Sequence, residues 1–146
     1  MFDALNKYRK NDHFFFDATD SLEEVCNAPD NKDGVYLVYE LKNGRVSLVY
    51  VGSSGDRSFI HVKEGLSGLK QSIINGPKAE KGVRAQDWPV KMLAEGIHAL
   101  DIYWWATYYG QLKDHPEMVQ IDILNTYREI HGEWPRWNRK PGGKRK

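Results

Sequence analysis

Cysteine is nearly absent, with Cys26 the only one among 146 residues. A single thiol excludes an internal disulfide framework and any multi-cysteine zinc site. The plain expectation for it is a partly buried thiol in a reducing cytoplasm. Long apolar runs are missing too: nothing approaches the roughly 18 consecutive apolar residues of a membrane helix. The opening MFDALNKYRK lacks the apolar core and small-residue cleavage site of a secretory signal. A cytoplasmic chain with no membrane partner is therefore expected. Low-complexity sequence is confined to the terminal PGGKRK, and no internal repeat is visible.

What is present is an ordinary globular composition with an aromatic surplus: 40% hydrophobic, 28% charged and 12% aromatic. One core serves about 100–200 residues, so one domain is expected. The net charge of +1 hides an asymmetry, because Arg136, Arg139, Lys140, Lys144, Arg145 and Lys146 share residues 136–146 with no acid. A basic tail on an acidic body fits contact with a polyanion, since neutralised phosphates release counterions. It fits a merely solvated end equally well. Residues 1–33 read as an arm and short helix that pack on the domain, 34–138 as the domain itself, and 139–146 as a basic, disordered tail.

Ser21-Leu-Glu-Glu24 fits a capping box, so a short helix should run to about Asn27 before Pro29-Asp30-Asn31 breaks it. Gly34-Val-Tyr-Leu-Val-Tyr-Glu40 and Val46-Ser-Leu-Val-Tyr-Val-Gly52 are β-branched and aromatic runs around Asn43-Gly44, which predicts a hairpin. A two-residue loop would set Tyr36 opposite Val51. A three-residue loop, Lys42-Asn43-Gly44, would set Tyr36 opposite Tyr50 and pair Val35 with Val51 and Leu37 with Val49 on an aliphatic face. The three-residue loop is the one expected. A helix should start near Asp56 and carry Phe59, Val62, Leu66 and Leu69, and residues 75–82 read as loop. A helical piece at Pro89–Glu95 and a strand at Leu100–Thr107 follow. Asp114, with Pro116 and Glu117, is expected to cap a last helix that Gly132 ends. Trp104 and Trp105 must point to opposite faces, one of them into the core. Trp134 and Trp137 read as hydrophobic closure, and His98, His115 and His131 show no ligand spacing. The order predicts a small α+β domain with a three-stranded, mainly antiparallel sheet flanked by helices.

These residues carry a family likeness. Gly34-Val35-Tyr36 followed by Tyr50-Val51-Gly52 resembles the signature of the GIY-YIG nuclease family. Arg57 and His61, four apart and so on one face of the expected helix, look like the family's arginine followed by histidine or tyrosine. Leu124…Tyr127 and then Pro135-Arg-Trp-Asn138 is similar to its closing helix and terminal Pro-x-x-Asn. The resemblance spans residues 34–138 and implies a Mg²⁺-dependent endonuclease acting on the phosphodiester bonds of DNA, with a homodimer suited to cutting both strands. It implies that Arg57 clamps the scissile phosphate, a task for a bidentate and permanent cation. Tyr50 would act as general base on the attacking water, Tyr36 would orient phosphate or water, His61 would relay the proton, and Asn138 would hold the site closed.

The likeness has departures. The family's metal-binding glutamate, counted back from Tyr127 and from Ile123-Leu124, falls on Gln120, whose amide lacks the charge that a hard cation selects. Glu117, one turn earlier on the same face, is the substitute carboxylate, although the capping box claims it as well. Asp122, two residues away, points to another side of the helix. Tyr50 and Arg57 are closer in sequence than in many members, Ser53 stands where the family has lysine, and Lys63 is turned away. Three functions follow, the first two being a metal-dependent endonuclease, inactive in this chain if Gln120 cannot hold the ion, and a catalytically silent nucleic-acid-binding module with the same fold. A protein-interaction domain whose tyrosine hairpin is only core is the third.

Overall fold

The longest runs of β-branched and aromatic residues in the chain become strands, and they pair into one antiparallel sheet. A computed structural model describes residues 2–54, 68–76 and 84–139. Its strands are β1 (Asn11–Phe16), β2 (Asp33–Lys42), β3 (Arg45–Ser53), β4 (Ala99–Tyr109) and β5 (Leu112–Lys113), and its helices are α1 (Leu22–Val25), α2 (Leu69–Asn75), α3 (Arg84–Glu95) and α4 (Pro116–His131). The order across the sheet is β1-β4-β2-β3, with β5 attached to β4. The expected α+β class with an antiparallel sheet between helices is what forms. The sheet has five strands rather than three, because the arm supplies β1 and Leu112–Lys113 folds back on β4 as β5. In Asn11–Phe16 the alternation of buried Phe14, exposed Phe15 and buried Phe16 has the period of a half-covered strand.

The hairpin corrects the expected register. Lys42 pairs with Arg45, so the loop is the two-residue Asn43-Gly44, with φ of 54° and 75°. Two successive left-handed residues make the turn whose twist matches the flanking strands, and Asn-Gly suits it best. The pairing then shifts at a bulge: Tyr39 faces Leu48 but Val38 faces Tyr50, leaving Val49 extra. Tyr36 consequently faces Gly52 rather than Tyr50, Val35 faces Ser53, and Leu37 faces Val51. Gly52 is what makes this possible. A Cβ there would lie 2.3 Å from Cζ of Tyr36, so the phenol ring fills the space that any side chain would take.

Two cores result, one on each face of the sheet. On the first, Tyr36, Val38 and Val49 pack with Phe14, Phe16, Leu100 and Ile102 under Leu22 of α1, Leu69 and Ile73 of α2, and Trp88 and Met92 of α3. On the second, Val35, Leu37, Leu48 and Val51 pack against Leu5, Tyr8 and, from α4, Ile123 and Leu124. The bulge moved Val49 to the first face and left Leu48 on the second. Trp104 is buried, its indole donating to Asn27 Oδ1 at 2.7 Å, while Trp105 stands half-buried on the other face.

The helix ends follow local chemistry, with one correction. Ser21 caps α1 by accepting from the Glu24 amide, and Gly132 ends α4 in the left-handed conformation. Asp114, however, does not cap α4. His115 takes the N-cap position without a side-chain bond, and Glu117 is exposed. Asp114 instead accepts the Tyr8 hydroxyl at 2.7 Å and faces the Lys7 ammonium at 3.6 Å, which ties the arm to the α4 entrance. The helix expected from Asp56 lies outside the described residues except for Leu69, which belongs to α2. Arg84–Trp88 extends the expected helical piece toward the amino end. No helix among the described residues is long and apolar enough to cross a membrane.

Candidate functional site

Tyr36 and Tyr50 leave the hairpin on the same face, two residues out of direct opposition, with ring centroids 6.0 Å apart. Their burial differs. Tyr36 is 1% exposed, whereas Tyr50 is half-buried at the edge of the first core. A cation sits beside them that the sequence reading missed. Arg84, 1% exposed, donates through Nη1 to the Tyr36 hydroxyl at 2.6 Å and to the Ile73 carbonyl at 3.2 Å. Its guanidinium carbon lies 5.0 Å from the Tyr50 ring centroid, 4.9 Å from that of Trp88 and 5.7 Å from that of Tyr36. Ring faces are electron-rich, so three of them around one guanidinium favour its charge where water does not reach. A sequence signal existed: Arg84 precedes Trp88 by four and shares its helix face. Reading residues 75–82 as loop and starting the helix at Pro89 hid it.

Gln120 and Asn138 meet at the outer edge of β3. The Val51 carbonyl accepts from Gln120 Nε2 at 3.0 Å and from Asn138 Nδ2 at 3.0 Å, and the Val51 amide donates to Asn138 Oδ1 at 2.9 Å. Ser53 Oγ donates to Gln120 Oε1 at 2.8 Å. Because β3 is an edge strand, its outward N–H and C=O would otherwise face solvent. Asn138 serves as one residue of a surrogate strand there, and the pairing fixes which amide atom is oxygen and which nitrogen. The segment carrying Asn138 is itself anchored, since Arg136 donates to Glu40 at 2.8 Å and pairs with Glu95. Burial alone would lower the Arg136 value, but the hydrogen bonds and charges of those two carboxylates outweigh it and raise it.

The structure thus brings Tyr36 with Tyr50 and Gln120 with Asn138, and the peptide between Tyr50 and Val51 joins the two pairs. Arg57 and His61 lie outside the described residues. Glu117 is exposed on the first turn of α4. A hard divalent ion wants anionic oxygen, and Gln120 supplies none: its nitrogen is committed to Val51 and its oxygen to the Ser53 hydroxyl. Among the described residues no three His, Cys, Asp or Glu side chains are grouped to hold a metal. The described residues therefore do not fit Mg²⁺. What they offer is a fixed cation beside two phenol rings, next to an edge strand clasped by two amides.

Compared with protein-family models, curated proteins and solved structures, the chain has no significant match.

Proposed function

We propose that this chain is a DNA-backbone-binding domain of the GIY-YIG nuclease type, in which Gln120 at the position of the family's glutamate suppresses phosphodiester hydrolysis. The observation that carries the reading is the Gln120 amide itself. It donates to the Val51 carbonyl beside Tyr50, a bond that a carboxylate cannot make. In this reading Arg57 clamps the phosphate, His61 and Tyr50 line its approach, and Tyr36, held by Arg84, keeps the hairpin wall rigid. Lys140, Lys144, Arg145 and Lys146, which lie outside the described residues, add counterion-releasing contacts. Buried, unpaired Cys26 suits a reducing cytoplasm.

Mg²⁺-dependent cleavage would need the negative charge restored at position 120, and the site can accept it. The Val51 carbonyl has a second donor in Asn138, so glutamate at position 120 strands no buried acceptor, and its carboxylate keeps the Ser53 hydroxyl. The test is nicking of supercoiled plasmid in Mg²⁺, beside salt-dependent DNA binding. The native chain should bind and not nick, and Gln120→Glu should nick. Equal nicking by both removes Gln120 from the metal position, and failure of both to bind DNA removes the reading altogether.

A further inference from the structure

The second face of the sheet is only half covered. Helix α4 and the arm lie over Val35, Leu37 and Val51, while the β1 and β4 side carries a row of rings. His13 stacks on Tyr103 at 4.6 Å and 10°, Tyr103 lies nearly parallel to Trp105 at 6.0 Å and 19°, and Phe15, 54% exposed, stands edge-on to His13. Tyr39 meets Tyr103 at 79°, and a cavity of about 300 Å³ opens between these rings and Phe2 and Asn6 of the arm.

We propose that this face is a stacking platform for the unpaired bases of single-stranded nucleic acid. His13, Tyr103 and Trp105 already stack on one another, so the π-surface left for a base is that of exposed Phe15 and of the cavity walls formed by Tyr39, Tyr103 and Trp105, where base–aromatic stacking tolerates every sequence. The cavity is of the size that holds a small planar group, and Asn6 at its wall offers both a donor and an acceptor to a base edge. Charge points to the same ligand. Arg9 and Lys10 lead directly into β1, the Ala106 amide bonds the Lys10 carbonyl, and Asn11 pairs with Trp105, so these two cations stand at the Trp105 end of the row, while the carboxylate on this face, Asp101, is held by His13 at 2.7 Å. Bases on rings and phosphates along the arm is the arrangement of a single-strand groove. A second copy of the chain or an apolar peptide would have no use for the cations. The platform lies on the opposite face from Tyr36 and Tyr50 and goes beyond the reading of that site.

The test is fluorescence anisotropy of the full chain with a labelled oligothymidylate and with an abasic deoxyribose-phosphate oligomer of the same length. The native chain should bind the oligothymidylate about tenfold more tightly or better, and Tyr103→Ala should erase about tenfold of that preference. Phe15→Ser, at a position too exposed to disturb folding, should lose about threefold. Affinity for the abasic oligomer should stay unchanged in both variants, with thermal unfolding showing that each is folded. No preference for bases, no binding of either oligomer, or a preference that survives both substitutions overturns the platform. So does a dimer that Phe15→Ser dissociates, which would assign the face to a second copy. Nicking by Gln120→Glu should not respond to Phe15→Ser, so this proposal and the reading of the opposite face fail separately.

Discussion

The two faces of the sheet solve the same burial problem differently. The first is roofed by α1, α2 and α3 and seals even a guanidinium among aromatic rings. The second is roofed by α4 over β2 and β3 and leaves rings at the surface over β1 and β4. The difference teaches where stability and recognition reside. A closed face draws its free energy from desolvated contacts, about 25 cal/mol for each Å² of apolar area. An open face of aromatic side chains contributes less to folding and keeps area for a partner.

The largest break in this comparison should come from Arg84→Met. It removes the donor on which the Tyr36 hydroxyl and the Ile73 carbonyl rely and should cost about 3 kcal/mol, read from denaturant unfolding. Unchanged stability would mean that the aromatic surround is not what holds this side chain. An intermediate effect is expected where the arm joins α4. Burial first, then the hydrogen bond and charge of Asp114, push the Tyr8 phenol well above its ordinary range. A raised folded-state value means that this stability is complete below the unfolded value near 10 and is lost as pH rises beyond it. Thermal stability should therefore fall above about pH 10, and Tyr8→Phe, costing about 1.5 kcal/mol at neutral pH, should flatten that slope. Burial and then neighbouring Tyr103 and Asp101 also raise Tyr39, and burial and then Asp101 raise Tyr103, so a residual slope should persist. The smallest effect belongs to the open face. Phe15→Ser should change stability by no more than about 0.5 kcal/mol, and a larger loss would show that the ring is packed in solution and the face closed.

Much of the architecture was readable in residue order, for local reasons. Ser21 and Gly132 mark helix ends because capping is decided within a turn, and Trp104 and Trp105 split between the faces because strand period is two. Asn43-Gly44 carries the turn chemistry, yet an aliphatic pairing favours the three-residue loop in the sequence, and the bulge makes that pairing unnecessary. Asp114 looked like a cap because Glu117 follows it by three. Its actual partner, Tyr8, is 106 residues away, and no local pattern records such a distance. The candidate site divides the same way. Tyr36, Tyr50, Gln120 and Asn138 stand out by motif and come together as two adjoining pairs, whereas Arg84 belongs to no motif.

Sequence by itself determined the α+β class, the hairpin, the faces of alternating residues and the absence of charge at position 120, because each depends on neighbours along the chain. Only the tertiary structure decided that β1 pairs with β4, that Gly52 makes room for Tyr36, that a buried Arg84 bonds that phenol, and that two amides clasp Val51. These contacts join residues tens of positions apart, and their geometry exists only once the backbone has closed the loops between them.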